Sequence, residues 1–345
     1  MTDIAPGAAG AALDETDRRI LSGIQVDFPV VRWPYEALSS RLDVAGDEIL
    51  YRVRRLCEAG IVRRIGAVFS SRRLGYVSTL VAARVPPERL EAAAAEASRL
   101  EGVTHNYARE HEYNLWFTLA ARDEAELEEA LRGLRARMGE GDMLSLPTVA
   151  SYKAWAVFPL DGSPPPGADK RGQSPADSAG YSPLLSVSEV VQLDDSQKHL
   201  VRLLQEPLPL ESTPLVTLAQ QWRRPVEILI VHLRHWLATG LVRRFGAVVG
   251  PREIGLAASA LVAFRVPPER AAEAGAALAG RAEVSHCHLR RAPAGWAYNL
   301  FAVVHGRDRD QVLSLVRDLS SRAGLTDPQV LFTAAEYKKV PMRFF

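Results

Sequence analysis

An internal repeat constrains this chain more than any other feature. Gly60-Ile61-Val62-Arg63-Arg64-Ile65-Gly66-Ala67-Val68 returns 180 residues later as Gly240-Leu241-Val242-Arg243-Arg244-Phe245-Gly246-Ala247-Val248. Arg84-Val85-Pro86-Pro87-Glu88-Arg89 returns as Arg265-Val266-Pro267-Pro268-Glu269-Arg270. Tyr113-Asn114-Leu115 returns as Tyr298-Asn299-Leu300, and Tyr152-Lys153 as Tyr337-Lys338. An ordered series of this kind means one module written twice. Between the copies, residues 159–192 hold Ser163-Pro164-Pro165-Pro166-Gly167 and further Pro, Gly and Ser, a linker composition.

The organisation expected is therefore five segments: a winged helix-turn-helix over 13–75, a ferredoxin-like domain over 76–158, the linker over 159–192, a second winged helix-turn-helix over 193–255, and a second ferredoxin-like domain over 256–345. Asp14 is a natural N-cap for a helix with Ile20, Leu21 and Ile24 on one face. Pro34 opens a second helix, and Asp47 to Ala59 forms a third, stopped by Gly60. Val62–Ser70, followed by a strand from Leu74 onward, reads as a two-stranded wing. After it come a strand (78–85), a helix (86–100), a hairpin (103–109 and 113–120), a helix (123–138) and a last strand (143–155). That βαββαβ order is the ferredoxin-like pattern, so the fold class is α+β in tandem duplication.

The formal net charge of +1 gives no global field to draw in nucleic acid. Two cysteines, Cys57 and Cys287, lack the CxxC spacing, which fits a reducing, cytoplasmic setting. The first dozen residues show neither a basic n-region nor an apolar h-region, and no stretch reaches the length of a membrane span.

A winged helix-turn-helix joined to a ferredoxin-like domain resembles the Lrp/AsnC transcription regulators, which implies DNA binding. The residues at the third helix argue against it. A recognition helix reads bases with its first exposed residues. Here these are Asp47, Glu48, Tyr51 and Arg52 in one copy, and Glu227, Ile228, Val231 and His232 in the other. Acids and apolar groups stand where donors are needed.

The unusual chemistry lies on the hairpins. Strand side chains alternate, so His105, Tyr107 and Arg109 share one face, as do His286, His288 and Arg290 at the equivalent positions. No Ser-His-Asp set, phosphate loop, HExxH or dinucleotide fingerprint is present. Imidazole moves protons near neutral pH or ligates iron, and guanidinium grips carboxylates. The set suits a carboxylate-rich substrate that gains or loses a proton.

At these residues the resemblance narrows. The run from Val103-Thr104-His105-Asn106-Tyr107 to Arg109-Glu110-His111-Glu112-Tyr113-Asn114-Leu115-Trp116-Phe117 resembles the D-type siroheme decarboxylase subunits. Val284-Ser285-His286-Cys287-His288-Leu289-Arg290, with Gly295-Trp296-Ala297-Tyr298-Asn299-Leu300, resembles the L-type partner. The whole chain is similar to the fused, NirDL-type members of the family. The resemblance implies removal of carbon dioxide from the C12 and C18 acetates of siroheme, giving 12,18-didecarboxysiroheme in haem d1 biosynthesis. Siroheme is then the substrate, and neither a separate cofactor nor a resident metal is expected. On this reading His105, His111, Arg109, His286 and Arg290 are catalytic. Arg63, Arg64, Tyr107, Tyr113, Trp116, Arg243, Arg244, His288 and Tyr298 contact substrate. Arginines hold the carboxylates, protonated His105 or His111 delivers a proton to carbon, and His286 acts alike. Either His286 or His105 is the axial ligand open to the substrate iron. His111 has no histidine counterpart in the longer second hairpin, Arg291-Ala292-Pro293-Ala294-Gly295, so two pockets would be unequal. The resemblance further implies that the two copies pair as an intramolecular pseudo-dimer, and leaves further homo-oligomerisation open. Neither nucleic acid nor membrane is an expected partner. A DNA-binding regulator and a haem-sensing module without chemistry remain the alternatives.

Overall fold

A computed structural model describes residues 13–138, 142–154, 157–161 and 190–345. The first twelve residues, the end of the strand at Trp155 and most of the linker lie outside these residues. The chain divides into two compact units, and each copy contributes to both.

The first unit holds the helix-turn-helix elements. Copy 1 supplies α1 (Glu15–Val26), α2 (Pro34–Leu42), α3 (Gly46–Glu58) and β1 (Val62–Phe69). Asp14 caps α1 reciprocally with Asp17: Asp17 N donates to Asp14 Oδ1 at 2.7 Å and Asp14 N to Asp17 Oδ2 at 3.3 Å. Ile49, Leu50, Val53 and Leu56 of α3 are buried at helical spacing, as the pattern requires.

The wing differs from its expected form. β1 does not form a hairpin with the segment after Leu74; it pairs with its counterpart in the other copy, a strand over Val242–Val249. The repeated Arg-Arg-x-Gly explains this. Arg244 donates to Gln25 O and, at 2.8 Å, to Ala247 O. Arg64 reaches Gln205 O at 3.5 Å and Ala67 O at 3.4 Å. Each arginine thus caps the end of the first helix of the opposite copy. Backbone bonds match across the repeat, Phe28 N to Phe245 O at 3.1 Å and Leu208 N to Ile65 O at 2.8 Å. Glycine is required for this approach: a Cβ on Gly246 would lie 2.7 Å from Ile24 O and 2.8 Å from Gln25 O. Gly246→Ala is therefore expected to destabilise the chain by about 1–3 kcal/mol, seen as a lowered denaturant midpoint.

The second unit is built from the ferredoxin-like halves. Copy 1 supplies β2 (Val77–Ala83), α4 (Leu90–Arg99), β3 (Val103–Arg109), β4 (Leu115–Ala121), α5 (Glu124–Met138) and β5 (Met143–Ala154). Copy 2 opens in the first unit with α6 (Asp195–Gln205), α7 (Pro214–Trp222), α8 (Val226–Ala238) and β6 (Val242–Val249). It continues with β7 (Ala258–Phe264), α9 (Ala271–Ala279), β8 (Val284–Arg290), β9 (Leu300–Gly306), α10 (Arg309–Ala323) and β10 (Gln329–Lys339). The strands close in the order β10-β3-β4-β2-β5-β8-β9-β7.

Closure depends on the two long strands, which change partner midway. Residues 143–147 of β5 pair with β2 of their own copy, and 148–154 pair with β8 of the other. Likewise 329–332 of β10 pair with β7, and 333–339 with β3. The intramolecular pseudo-dimer is therefore made by strand exchange, which leaves neither sheet with an open edge. Helices cover the outer faces: Ala94, Leu131 and Leu134 pack on Phe117 and Leu119, and Ala274, Val312 and Val316 on Leu300 and Val304. The recurring Tyr-Asn-Leu also has a structural role. Asn114 accepts from Val85 N at 3.0 Å and donates to Val85 O at 2.8 Å, and Asn299 does the same with Val266 at 2.9 and 2.8 Å.

Candidate active site

Alternation along β3 and β8 settles which side chains face the barrel lumen. Asn106 points outward and donates to Ala94 O at 2.8 Å, and Cys287 points outward with Sγ 3.7 Å from Gly275 O. The odd row of β3 (His105, Tyr107, Arg109) and the even row of β8 (His286, His288, Arg290) therefore turn inward. The lumen between them is lined by Leu80, Ala82, Trp116, Leu146, Leu261 and Phe301. The His105 and Tyr107 rings lie 6.3 Å apart, and those of His286 and His288 6.1 Å apart.

The two arginines are held alike. Arg109 Nη1 donates to Leu331 O and Thr333 Oγ1, both at 3.1 Å. Arg290 Nη1 donates to Leu146 O at 2.9 Å and Thr148 Oγ1 at 3.1 Å. These acceptors sit where β10 and β5 change partner, so each arginine fastens a crossing strand. Nε of each is buried without a hydrogen-bond partner among the described residues. Burial lowers both guanidinium groups to about 10, which still leaves them cationic at neutral pH. A buried guanidinium is a group that can pair with a carboxylate.

The histidines meet at one part of the lumen. Burial and the nearby Lys339 ammonium push His105 down to about 4. Burial, then His105 itself, push His286 down to about 3. A third histidine joins them. His305 Nε2 lies 2.8 Å from Ser285 Oγ, which lies 2.9 Å from His286 Nδ1. Sequence reasoning missed His305, because a search for matches between copies passes over it: copy 1 has Ala120 at that position. Alternation from Phe301 and Val303 carried the signal.

The remaining expected residues are dispersed. His111 lies beyond the far end of β3, in the turn where its N donates to Arg109 O at 2.9 Å, at the opposite end of the strand from His105. It accepts from Tyr113 N at 3.1 Å and faces a cavity of about 770 Å³ lined by Arg84, Arg89, Glu112, Asn114 and Asp142. The longer second hairpin brings Trp296 against this end of copy 1, with ring centroids 6.1 Å from His111, 5.3 Å from Tyr113 and 6.2 Å from Trp116. Tyr298 lies 5.5 Å from Trp296. Arg63, Arg64, Arg243 and Arg244 sit on β1 and β6 in the first unit; Arg63 faces Glu253 at 3.6 Å, and burial lowers Arg243.

These features define the class: a duplicated AsnC-like ligand-binding fold whose lumen carries imidazole and guanidinium. Family comparison agrees. The AsnC-like ligand binding domain matches residues 73–153 and 253–338, and the siroheme decarboxylase NirDL-like HTH domain matches residues 17–63. The siroheme decarboxylase of Hydrogenobacter thermophilus is 33% identical over 328 residues, 95% of this chain and 94% of that protein. The siroheme decarboxylase NirD subunit of Pseudomonas aeruginosa is 40% identical over 151 residues, 44% of this chain and 99% of the subunit. A crystal structure of the siroheme decarboxylase NirDL superposes with a TM-score of 0.70 at 30% identity, covering 96% of this chain and 94% of that one. A second, in co-complex with an iron-uroporphyrin III analogue, gives 0.69 at 31% identity, with the same coverage. The chain belongs to the NirDL-type siroheme decarboxylase family.

Proposed function

We propose that the chain is a siroheme decarboxylase that removes carbon dioxide from the C12 and C18 acetates of siroheme, giving 12,18-didecarboxysiroheme for haem d1 biosynthesis. The observation that carries this reading is the pair of inward rows, His105-Tyr107-Arg109 and His286-His288-Arg290, set in one apolar lumen. Arg109 and Arg290 supply the inward-facing positive charge that pairs with peripheral carboxylates. The C–C bond of an acetate breaks, carbon dioxide leaves, and the electron pair stays on the methylene carbon, delocalised into the pyrrole. A histidine that has taken up a proton from solvent, favoured by the carboxylates of bound substrate, then delivers it, and the methylene becomes methyl. His105 and His286 are the donors nearest to this geometry. His111, on its separate cavity, serves substrate entry or a second carboxylate. The reaction needs no separate cofactor, since the iron tetrapyrrole is itself the substrate. A cytoplasmic location fits the free thiols of Cys57 and Cys287.

The regulator reading finds little support at the third helix. Arg52 is spent on Glu48 at 2.6 Å, Asp14 at 2.7 Å and Asp17 at 3.0 Å, and Arg55 on Asp17. Arg54 donates to Leu210 O at 2.7 Å, and its counterpart Arg234 to Val30 O at 3.1 Å. Tyr51 and Val231 are exposed. Cations tied up inside the unit do not neutralise phosphates.

Anaerobic incubation with siroheme, followed by mass spectrometry, tests the proposal. Loss of two carbon dioxide units is expected. A bound-tetrapyrrole absorbance spectrum with unchanged siroheme would favour the sensing module.

A further inference from the structure

We propose that His305 is a positioning residue for the copy-2 half of the site: acting through Ser285, it fixes His286 in the tautomer whose Nε2 is the working nitrogen. The chemistry rests on the decarboxylase reading; the geometry stands without it.

Ser285 Oγ bridges two ring nitrogens, His286 Nδ1 at 2.9 Å and His305 Nε2 at 2.8 Å. A hydroxyl has one hydrogen and two lone pairs, so it can donate to at most one of the two rings, and at least one ring must donate to it. The two tautomers are therefore coupled. In one arrangement Ser285 donates to His305 Nε2 and accepts from His286 Nδ1–H. A neutral His286 then carries a lone pair on Nε2, ready to take up a proton and pass it to carbon, or to meet iron. In the opposite arrangement Nε2 of a neutral His286 already holds its hydrogen and serves neither role, since giving it up would leave an imidazolate.

The first arrangement is the one that closes a turnover. Protonated at Nε2, His286 is an imidazolium; after the methylene carbon takes that proton, the neutral ring keeps its hydrogen on Nδ1, still donated to Ser285. No hydrogen on the Ser285 side has to move. A third group that orients the imidazole from its far nitrogen is a recurring device in acid–base sites.

The device belongs to copy 2. In copy 1 Thr104 Oγ1 lies 3.0 Å from His105 Nδ1, but the strand position facing it is Ala120. The equivalence is fixed by the backbone: Ala120 N donates to Gly102 O and His305 N to Glu283 O, each at 2.9 Å. His105 is consequently free to adopt either tautomer, and the two halves differ in how firmly their histidine is set.

The test uses the full chain labelled with ¹⁵N-histidine. Long-range ¹⁵N–¹H correlation reads each ring's tautomer, and the His286 signals are assigned by their loss in His286→Gln. The expected result is the Nδ1–H form in the wild type. Ser285→Ala and His305→Leu should release His286 toward the Nε2–H form that imidazole prefers in water. His305→Gln, whose side-chain carbonyl accepts from Ser285, should restore the Nδ1–H form. In turnover, His305→Leu should lower kcat roughly ten- to a hundredfold with KM little changed, and His305→Gln should recover most of it. An Nε2–H form in the wild type, or a tautomer indifferent to both Ser285→Ala and His305→Leu, would overturn the proposal. The spectra need no substrate, so they decide the tautomer whether or not the chain decarboxylates siroheme.

Discussion

His286→Ala should slow carbon dioxide release by about 10²–10⁴-fold at the acetate it serves, the range for losing a general acid. His105→Ala should do the same from the other row. The rings face one lumen but approach it from β3 and β8, on strands of different copies. If each serves one acetate, each variant accumulates a monodecarboxylated tetrapyrrole, and the two products are different isomers. If one ring serves both acetates in turn, its variant stalls at siroheme and the other variant proceeds. A mass-spectrometric time course with chromatographic separation of the isomers reads both results. Neither substitution removes a backbone partner: the ring bonds described run to the neighbouring hydroxyls of Thr104 and Ser285. The folded chain should survive both. Wild-type rates in both variants would remove these histidines from the mechanism.

The second large effect is loss of stability in acid. Burial, with Lys339 nearby, holds His305 at about 4, beside His105 at about 4 and His286 at about 3. An unfolded histidine titrates near pH 6.5. Between pH 6.5 and about 4 the unfolded chain takes up protons that the folded barrel refuses. The folded pKa values are depressed, so this contribution is intact above pH 6.5 and drains away as the pH falls toward 3–4. All three rings act in this direction, and because they sit close together their contributions belong to the cluster rather than to any one ring. Denaturant unfolding at stepped pH should therefore show a steep decline below 6.5. His305→Leu should flatten it, having removed one of the three rings. Bound siroheme should make the decline shallower, because its carboxylates raise the folded pKa of the rings toward the unfolded value. A profile level from pH 7 to 4.5 would contradict the burial of these histidines.

Much of the fold is written in the repeat and in strand alternation. The period of two along β3 and β8 identified both inward rows, and the structure keeps them. What sequence did not reveal is which copy a strand pairs with. β1 and β6 read as halves of separate wings, yet they pair with each other, since Arg64, Arg244, Gly66 and Gly246 fit the opposite copy's first helix. For β5 and β10 the signal was length: at 12 and 11 residues they outrun the 7-residue strands beside them, long enough to serve two sheets. At the site, His111 stood close to His105 in sequence and lies at the other end of the strand. His305 was invisible to a comparison that valued matches, because it belongs to what copy 2 has and copy 1 lacks; Trp296 was read only as part of the L-type run, with no contact assigned to it. The asymmetry between the copies proved as informative as their likeness.

The most direct test is anaerobic incubation of the wild-type chain with siroheme in D₂O, with mass spectrometry of the tetrapyrrole. The expected product has lost two carbon dioxide units and carries one solvent deuterium on each new methyl. Siroheme recovered intact, with all its carboxylates, would contradict the decarboxylase reading.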